Sequence, residues 1–334
     1  MSHSMVAVDP ILDLHQDPSR DPHQLAARVK AKAREIGFDL CGIASAEPSA
    51  HRDYLRQWLD AGHAGEMRYL HDRFDERTDV GRILPGARSV ICVALNYHVP
   101  LEPPPPEQAS PVRVARYALG VDYHVHLKDK LYALADWLRQ AVPGVQTRSS
   151  VDTAPLLERE LAARAGLGWL AKNTMLVNER IGSWTFLGEV VTTLELPVDA
   201  PAKDRCGTCR RCLDACPTRA ITAPYELDAT RCISYLTIEH RGEIEPELAE
   251  KLGGWVAGCD ICQQVCPWNG RAPIALLDEL QPRHPSGTID ADAIEAWSQE
   301  DYFAATRRSA TRRIKLPQFK RNAALAKRDV VKVV

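Results

Sequence analysis

Residues 206–217 read Cys206-Gly-Thr-Cys209-Arg-Arg-Cys212-Leu-Asp-Ala-Cys216-Pro217, and residues 256–267 read Val256-Ala-Gly-Cys259-Asp-Ile-Cys262-Gln-Gln-Val-Cys266-Pro267. The first run has the spacing with which paired 4Fe–4S clusters are held: three cysteines bind one cluster, and the fourth, before a proline, reaches the other. The second run repeats this spacing with Val256 in place of its first cysteine. Cys232 is the unassigned cysteine of the region, and it restores the number to eight.

This pattern predicts two sites of four thiolates each. We assign cluster one to Cys206, Cys209, Cys212 and Cys266, and cluster two to Cys216, Cys232, Cys259 and Cys262. Two adjacent clusters would form a path for single electrons, so the sequence predicts a protein that moves electrons.

Two other uses of these cysteines fit the pattern less well. Zinc sites also use paired cysteines, but zinc does not need the third cysteine of each run or the Cys-Pro ending. Disulfides suit small secreted chains, whereas this chain has 334 residues and begins without an export signal. Cys41 and Cys92 lie in apolar runs, and we expect them to be buried strand residues.

The remaining composition is that of an ordinary globular protein, with 45% hydrophobic residues. No apolar run approaches the ~20 residues of a membrane span, and reduced thiolates suit the cytoplasm, so we expect a cytoplasmic protein without a membrane partner. The net charge is −2, but residues 307–334 carry ten Lys and Arg against one Asp. Such a basic segment is typical of a surface that meets a polyanion, with a solvated helical face as the alternative.

Strands and helices alternate along the chain before the cysteines. Residues 1–20 resemble a disordered tail, and Asp21 and Pro22 predict the start of a helix that ends at Gly37. The division that follows is a tail (1–20), an α/β domain (21–200), a two-cluster domain (201–270) and a short helical basic segment (271–334). Strands are expected at 38–44, 89–97 and 183–196, and helices at about 123–140 and 155–165. The fold class is α/β (α+β).

Several segments together resemble the epoxyqueuosine reductases, enzymes of tRNA queuosine synthesis. They are Arg82–Ser89, Ser150–Leu156, Ala165–Asn173, Cys206–Ala220, Arg231–Gly242 and Gly258–Pro267. The resemblance implies a nitroreductase-like domain that binds cobalamin, followed by a ferredoxin-like domain that feeds it electrons singly. It also implies reduction of the epoxide of epoxyqueuosine at the tRNA wobble position to the alkene of queuosine. No segment of the sequence by itself indicates that cobalamin binds, so this cofactor is implied by the resemblance alone.

The resemblance places the catalytic proton donor on Asp152. To donate at neutral pH an aspartic acid must have a raised pKa, so we expect Asp152 to be buried against the apolar corrin face of the cofactor. The alternative is a helix cap, but Pro155 would make Ala154 the cap and leave Asp152 too early.

The resemblance further implies that cobalamin is contacted by Asp152, Arg77, Asn173, Leu176, Ser234 and Asp260. A surface arginine, a turn asparagine, a packed leucine and caps beside cysteines are the alternatives for these positions. His124 and His126 are expected to be ordinary surface or packing residues.

The predicted partners are an epoxyqueuosine-modified tRNA anticodon loop and an external electron donor such as flavodoxin or ferredoxin, and the chain is expected to be a monomer. The basic segment and the edge Glu239-His240-Arg241 would meet tRNA phosphates. A reductive dehalogenase, an electron-transfer module and a zinc-stabilised nucleic-acid-binding protein are the rival functions. The basic segment, the α/β domain and Asp152 are explained together only by the tRNA-modifying enzyme.

Overall fold

The computed structural model describes residues 21–331, so the predicted tail at 1–20 lies outside the described residues. The strands are β1 (Leu40–Ser45), β2 (Ser89–Asn96), β3 (Pro111–Val114), β4 (Thr147–Ser150), β5 (Trp169–Leu170), β6 (Leu176–Val177), β7 (Thr185–Thr192), β8 (Ile221–Ala223), β9 (Glu226–Leu227), β10 (Trp255–Ala257) and β11 (Thr288–Asp290).

The α-helices are α1 (Pro22–Ile36), α2 (Arg52–Asp60), α3 (Tyr69–Asp72), α4 (Phe74–Thr78), α5 (Tyr123–Ala141), α6 (Glu158–Arg164), α7 (Arg211–Asp214), α8 (Ile233–Ile238), α9 (Pro246–Ala249), α10 (Ile261–Gln264), α11 (Ala291–Ala296), α12 (Gln299–Thr306) and α13 (Leu316–Val331). Short 3-10 helices lie at Val80–Arg82, Arg116–Ala118, Ala229–Arg231, Asn269–Arg271, Asp278–Leu280 and Ala310–Arg313.

The main sheet has four strands in the order β1-β2-β7-β4, and every neighbouring pair is antiparallel. All eight residues of β2 are buried, because this strand lies in the middle of the sheet with helices on both faces. One face packs under α1 and α5, where Val29, Leu131 and Val190 are fully buried. The other face packs under α6. The predicted layering of helices on a sheet is therefore confirmed.

The ends of α1 follow the prediction. The Asp21 carboxylate accepts a hydrogen bond from the His23 backbone N–H, Pro22 occupies the first turn, and Gly37 ends the helix with φ 96°. The predicted helix at 155–165 begins later, at Glu158. Pro155 and Leu156 are instead buried in a loop over residues 151–157, which we call the 151–157 loop. The proline packs in this loop rather than opening the helix.

A second sheet joins distant parts of the chain. Its order is β10-β3-β11, with β10 parallel to β3 and β11 antiparallel to it. Each of these strands comes from a different one of the three segments predicted to follow the tail. Val256, which replaces a cysteine in the second run, is fully buried here. A packed strand thus stands where the first run has a ligand.

The basic C-terminal segment is part of this packing. Ile314, Phe319 and Ala323 are buried in the core beneath the second sheet. The fully buried Asn322 donates through Nδ2 to the carbonyl oxygens of Thr237 (2.8 Å) and Val256 (2.9 Å). The segment therefore closes the cysteine-rich region rather than projecting from it. Among residues 21–331, no helix is both long and apolar enough to cross a membrane.

Candidate active site and cluster-binding cysteines

Asp152 lies near the start of the 151–157 loop, directly after β4. Its φ is 45°, in the left-handed region that only a few non-glycine residues adopt, and such strain is common at functional sites. Its backbone N–H donates to Oε1 of Glu158, at the start of α6. The side chain is 52% exposed. The expected burial of Asp152 against the corrin concerns the protein with its cofactor bound and stays a prediction.

His124 holds the Asp152 carboxylate from the other side. It lies in the first turn of α5, where Asp122 is the N-cap. Its Nδ1 is 2.7 Å from Asp122 Oδ1, and its Nε2 is 3.0 Å from Asp152 Oδ2. The ring stacks on Tyr123, which itself stacks on Phe186 of β7. The imidazole is thus fixed between two carboxylates, and the expectation that it is an ordinary surface or packing residue is wrong.

This array sets where the proton resides. Burial acts to lower the pKa of His124, but the two carboxylates outweigh it and raise this pKa to about 9. Burial acts to raise the pKa of Asp152, but the hydrogen bond and charge of His124, with the charge of Arg313, bring it below its ordinary value. In this array His124 therefore carries the proton at neutral pH and Asp152 is the anion, whereas the raised pKa expected for Asp152 depends on burial against the corrin.

Three further side chains lie around this site, and we call them the rim: Tyr69, Arg77 and Arg313. The Arg313 guanidinium lies 5.4 Å from the Tyr69 ring centroid and makes a two-point ion pair with Glu239, with N–O distances of 2.6 and 2.9 Å. Tyr69 is 43% exposed. Because Arg313 belongs to the basic segment, this segment contributes directly to the surroundings of Asp152.

The predicted edge at 239–241 is mostly occupied by contacts within the chain. Glu239 pairs with Arg313, His240 Nδ1 lies 2.8 Å from Glu66, and the Arg241 side chain donates to Gln318. Several basic residues of the segment remain exposed: Arg307, Arg308, Arg312, Arg313, Lys315 and Arg328. The cationic surface near the site is thus on the segment rather than on the edge.

The first set of cysteines gathers from both runs. Burial raises the pKa of the Cys266 thiol, and the neighbouring Cys206 and Cys209 thiolates raise it further. Burial also raises the pKa of Cys212, which has Cys206 and Cys266 as its thiol neighbours. The fold thus brings the last cysteine of the second run to the first three of the first run.

The second set gathers in the same way around Cys232. Burial raises the pKa of the Cys262 thiol, with Cys232 and Cys216 among its neighbours, and that of Cys259, with Cys232 and Cys262 beside it. Cys212 also acts on Cys262, so the two sets are adjacent. Over residues 21–331, no three His, Cys, Asp or Glu side chains are close enough to hold a single metal ion.

The residues expected to contact cobalamin lie around the same region in different ways. Asn173 is buried and donates through Nδ2 to the Cys262 carbonyl oxygen (3.3 Å). Asp260 is 2% exposed, and its Oδ2 accepts from the Arg116 backbone N–H at 2.9 Å. Leu176 is buried in the core under α6, and Ser234 lies half-buried in α8 next to Cys232. Asn173 and Asp260 therefore connect the cysteines to the α/β part, whereas Leu176 packs.

Tyr117 marks where these parts meet. It contacts the core under α1 and α5, the core of the second sheet and the core around Trp255. Burial raises its pKa, and the charges of Asp152 and Asp260 raise it further, which places it between the two carboxylates. Cys259 follows Gly258, whose φ is 72°; a Cβ on Gly258 would lie 2.7 Å from the Ala115 Cβ. Only glycine lets the second run approach this junction.

Two arginine nitrogens are buried without hydrogen-bond partners among the described residues: Nε of Arg77, whose neighbours include Asp152, and Nη1 of Arg116. The latter is 3.6 Å from Asp260, and its guanidinium lies 4.9 Å from the Trp184 ring centroid. Buried donors are normally paired, so these two sites suit a bound group with acceptor oxygens. Sequence reasoning found Arg77 but not Arg116.

Cys41 and Cys92 both lie on strands, as predicted, but Cys41 is only half-buried. Cys92 is fully buried, and burial raises the pKa of the Cys41 thiol to about 12. Both are therefore poor nucleophiles at neutral pH.

Comparison with known proteins identifies the family of this chain. The family model described as "4Fe-4S double cluster binding domain" matches residues 205–269, which contain all eight cysteines. The family model described as "Epoxyqueuosine reductase QueG, DUF1730" matches residues 77–153, which contain Arg77, His124 and Asp152. An epoxyqueuosine reductase from Gloeobacter violaceus is 44% identical over 305 residues, covering 89% of this chain and 94% of that protein. The chain belongs to the epoxyqueuosine reductase family.

Solved structures of the epoxyqueuosine reductase family share the fold. One, crystallised with an epoxyqueuosine-modified tRNA-Tyr stem loop, has a TM-score of 0.86 and 32% identity, covering 92% of this chain and 82% of that one. Another, from Bacillus subtilis, has a TM-score of 0.85 and 31% identity, with the same coverage of both chains. In that structure the catalytic aspartate loop is swung out of the active site. The mixed α/β fold of this chain is thus the fold of the family.

Proposed function

We propose that this chain reduces epoxyqueuosine in tRNA to queuosine. The observation that carries the proposal is the Asp122–His124–Asp152 array, which lies beside the junction with eight gathered cysteines in a chain of this family. Opening the epoxide and releasing water to leave an alkene consumes two electrons and two protons. The array offers protons, and the cysteines offer a path for electrons.

For the electron path we keep the assignment made from the sequence. The thiol neighbourhoods support cluster one on the set with Cys266 and cluster two on the set with Cys232. The match to a double-cluster family model supports the same number of clusters. An external donor such as flavodoxin or ferredoxin would reduce them, and the chain would act as a monomer.

The residues at the junction fit a cobalamin. Its amide side chains and phosphate carry acceptor oxygens, and the unpartnered nitrogens of Arg77 and Arg116 are buried donors. Arg77, Asp152, Asn173, Leu176, Ser234 and Asp260 stay proposed as its contacts, and Arg116 joins them. When bound, cobalamin supplies a reduced cobalt centre that delivers electrons to carbon. A nitroreductase-like domain at 21–200 and a ferredoxin-like domain at 201–270, followed by the helical segment 271–334, form part of this proposal.

For the proton we propose that Asp152 and His124 act together. The opening epoxide develops an alkoxide, which needs a donor within hydrogen-bond reach. Asp152 stays the group that touches the substrate, and His124 holds the proton at Nε2 and passes it to Asp152 Oδ2 across 3.0 Å. A free aspartate with a lowered pKa would be a poor acid, so the neighbouring imidazolium is what makes it a donor at neutral pH.

The rim supplies the surface for tRNA. Arg313 would contact a phosphate of the anticodon loop, and the exposed face of Tyr69 would stack on a base, which are the usual contacts of single-stranded RNA. The modified base would be extruded into the site, as in other enzymes that act on bases. A family member crystallised with a tRNA stem loop supports this substrate class.

The test uses protein reconstituted anaerobically with iron, sulfide and cobalamin, and tRNA carrying epoxyqueuosine. Wild-type protein should convert the nucleoside to queuosine, measured by mass spectrometry of tRNA digests. Asp152→Asn should keep iron and cobalamin but lose about 10²–10⁴-fold in kcat. Asp129→Asn, on the exposed side of α5, is the matched control. Clusters that form without any tRNA conversion would favour an electron-transfer module instead.

A further inference from the structure

Glu189 is an unusual residue for the middle of a sheet. It lies on β7, is fully buried, and neither of its carboxyl oxygens has a hydrogen-bond partner among residues 21–331. Its cross-strand neighbours are Cys92 on β2 and Ser150 on β4. Directly paired residues project from the same face of a sheet, so the Ser150 hydroxyl, which is also buried and unpartnered, shares this space. A charged carboxylate here would be strongly disfavoured, so Glu189 is a carboxylic acid.

The same face of the sheet lies under α6 and beside the 151–157 loop. The charged or titratable groups that face Glu189 from these elements are Cys92, Asp152, Glu158, Arg159, Glu160 and Arg164. Three of them are engaged elsewhere: Arg159 donates to the Thr174 carbonyl oxygen, Arg164 to Ser45, and Glu160 accepts from Ser49. Glu158 and Asp152 are the groups whose charges act on Glu189.

Glu158 connects Glu189 with the site already described. Its Oε1 accepts a hydrogen bond from the backbone N–H of Asp152, so Glu158 lies directly behind the 151–157 loop. Burial raises its pKa, the charge of Asp152 raises it further, and the value is about 8. Burial raises the pKa of Glu189 well above its ordinary value, and the charges of Glu158 and Asp152 add to this. Both carboxyl groups therefore hold protons at neutral pH.

We propose that Glu158 and Glu189, which we call the carboxyl pair, store a proton behind Asp152 and supply the second proton of the reaction. This inference rests on the proposed function, since that reaction consumes two protons and the Asp152 carboxylate must be reloaded after the first. The first proton comes from the His124–Asp152 array. The O–H bond of the Glu158 carboxyl group then breaks as an O–H bond forms on the Asp152 carboxylate, which is thereby reloaded for the departing water.

The two members of the carboxyl pair differ in access to solvent. Glu158 is half-buried, whereas Glu189 is sealed between the strands and α6. After the transfer, one negative charge and one proton remain on two neighbouring carboxyl groups, a form that such pairs favour over two charges. A proton from water then returns to Glu158. No oxidant or reductant takes part in this transfer.

The test reads the protons directly in the full-length protein reconstituted with its clusters, before tRNA is added. Infrared difference spectra over a pH series report the carbonyl stretch of protonated carboxyl groups, identified by its shift in heavy water. Wild type should lose one such band as the pH rises through about 8 and keep a second. Glu158→Gln should remove the first band, and Glu189→Gln the second. Glu160→Gln, on the same helix but bonded to Ser49, should change neither.

Turnover then decides whether the stored proton is used. In Glu158→Gln the side-chain amide keeps an oxygen that can accept the Asp152 N–H, so the 151–157 loop stays in place while the proton is lost. We expect Glu158→Gln to lower kcat roughly tenfold to a hundredfold, to leave KM for tRNA unchanged and to remove the fall in activity near pH 8. Glu158→Asp should recover part of the rate.

Two results would overturn the inference. One is the absence of protonated-carboxyl bands that respond to the two substitutions. The other is wild-type turnover with an unchanged pH profile in Glu158→Gln after its band has disappeared. If the wild-type protein itself fails to convert tRNA, the proposed function fails, and the infrared result still decides whether the carboxyl pair holds protons.

Discussion

The cluster-binding region and the site around Asp152 are assembled in opposite ways. The eight cysteines lie within residues 206–266, and their order in the sequence nearly fixes their grouping. The groups around Asp152 come from five separate places: α3 and α4, the start of α5, the loop after β4, α6 and the segment before α13. The difference separates two kinds of information, because ligand spacing is local whereas the electrostatics of a proton donor depend on tertiary neighbours.

The strongest challenge to this comparison is Cys232→Ser. Cys232 lies outside both runs and was assigned only because it completes the number of ligands. Its loss should remove about four iron atoms per chain, the content of one cluster, and abolish turnover because the electron path is broken. Iron and sulfide analysis with EPR of the reduced protein measures this. Cys41→Ser, on a strand of the main sheet, is the control and should keep full iron; full iron in Cys232→Ser would show that the grouping is wrong.

The sequence predicted what local rules govern. The cysteine spacing, the caps of α1 and the buried strands β1, β2 and β7 follow from residue types at short range. It could not predict the parallel pairing of β10 with β3, because no pattern links residues about 140 positions apart. The sequence also predicted that α6 starts at Pro155, but packing of the 151–157 loop overrides the preference of proline for the first turn of a helix.

The electrostatics of Asp152 were beyond the sequence for a similar reason. The resemblance points to this position, and the raised pKa expected there rests on burial alone. His124 lies 28 positions earlier in the chain, and only the fold brings its Nε2 to the Asp152 carboxylate. The one local signal was Asp122 two residues before His124 at a helix start, since a cap carboxylate can also hold an imidazole in the first turn.

His124→Gln sharpens the comparison at the proton-bearing site. Removing the imidazolium should let the pKa of Asp152 rise toward its ordinary value while depriving it of its proton source, so we expect kcat to fall roughly tenfold to a hundredfold. Because the His124 pKa is raised to about 9, wild-type activity from this array should hold at neutral pH and be lost as the pH rises through about 9. The variant should lack this loss, as seen in the pH dependence of kcat.

The same substitution has a consequence for stability with a defined sign. A histidine whose pKa is raised on folding stabilises the folded state fully below its ordinary pKa, and this contribution disappears as the pH passes through the raised value. The difference in free energy of unfolding between wild type and His124→Gln should therefore shrink between about pH 6.5 and pH 9. Denaturant titrations at several pH values measure it, with His126→Gln as the control. A constant difference would contradict the array.

The smallest expected effect is at the rim, where Arg313→Gln tests whether the basic segment serves the site or only packs. Its guanidinium contacts Tyr69 and Glu239 and lowers the pKa of Asp152. Losing one phosphate contact should raise KM for tRNA a few-fold, with a smaller change in kcat, and reduce the slope of log affinity against log salt by about one. Arg328→Gln, exposed near the far end of α13, should leave both unchanged. Equal effects of the two substitutions would mean that the segment attracts RNA through its general charge, whereas an effect of Arg313 alone would place the anticodon loop against the rim.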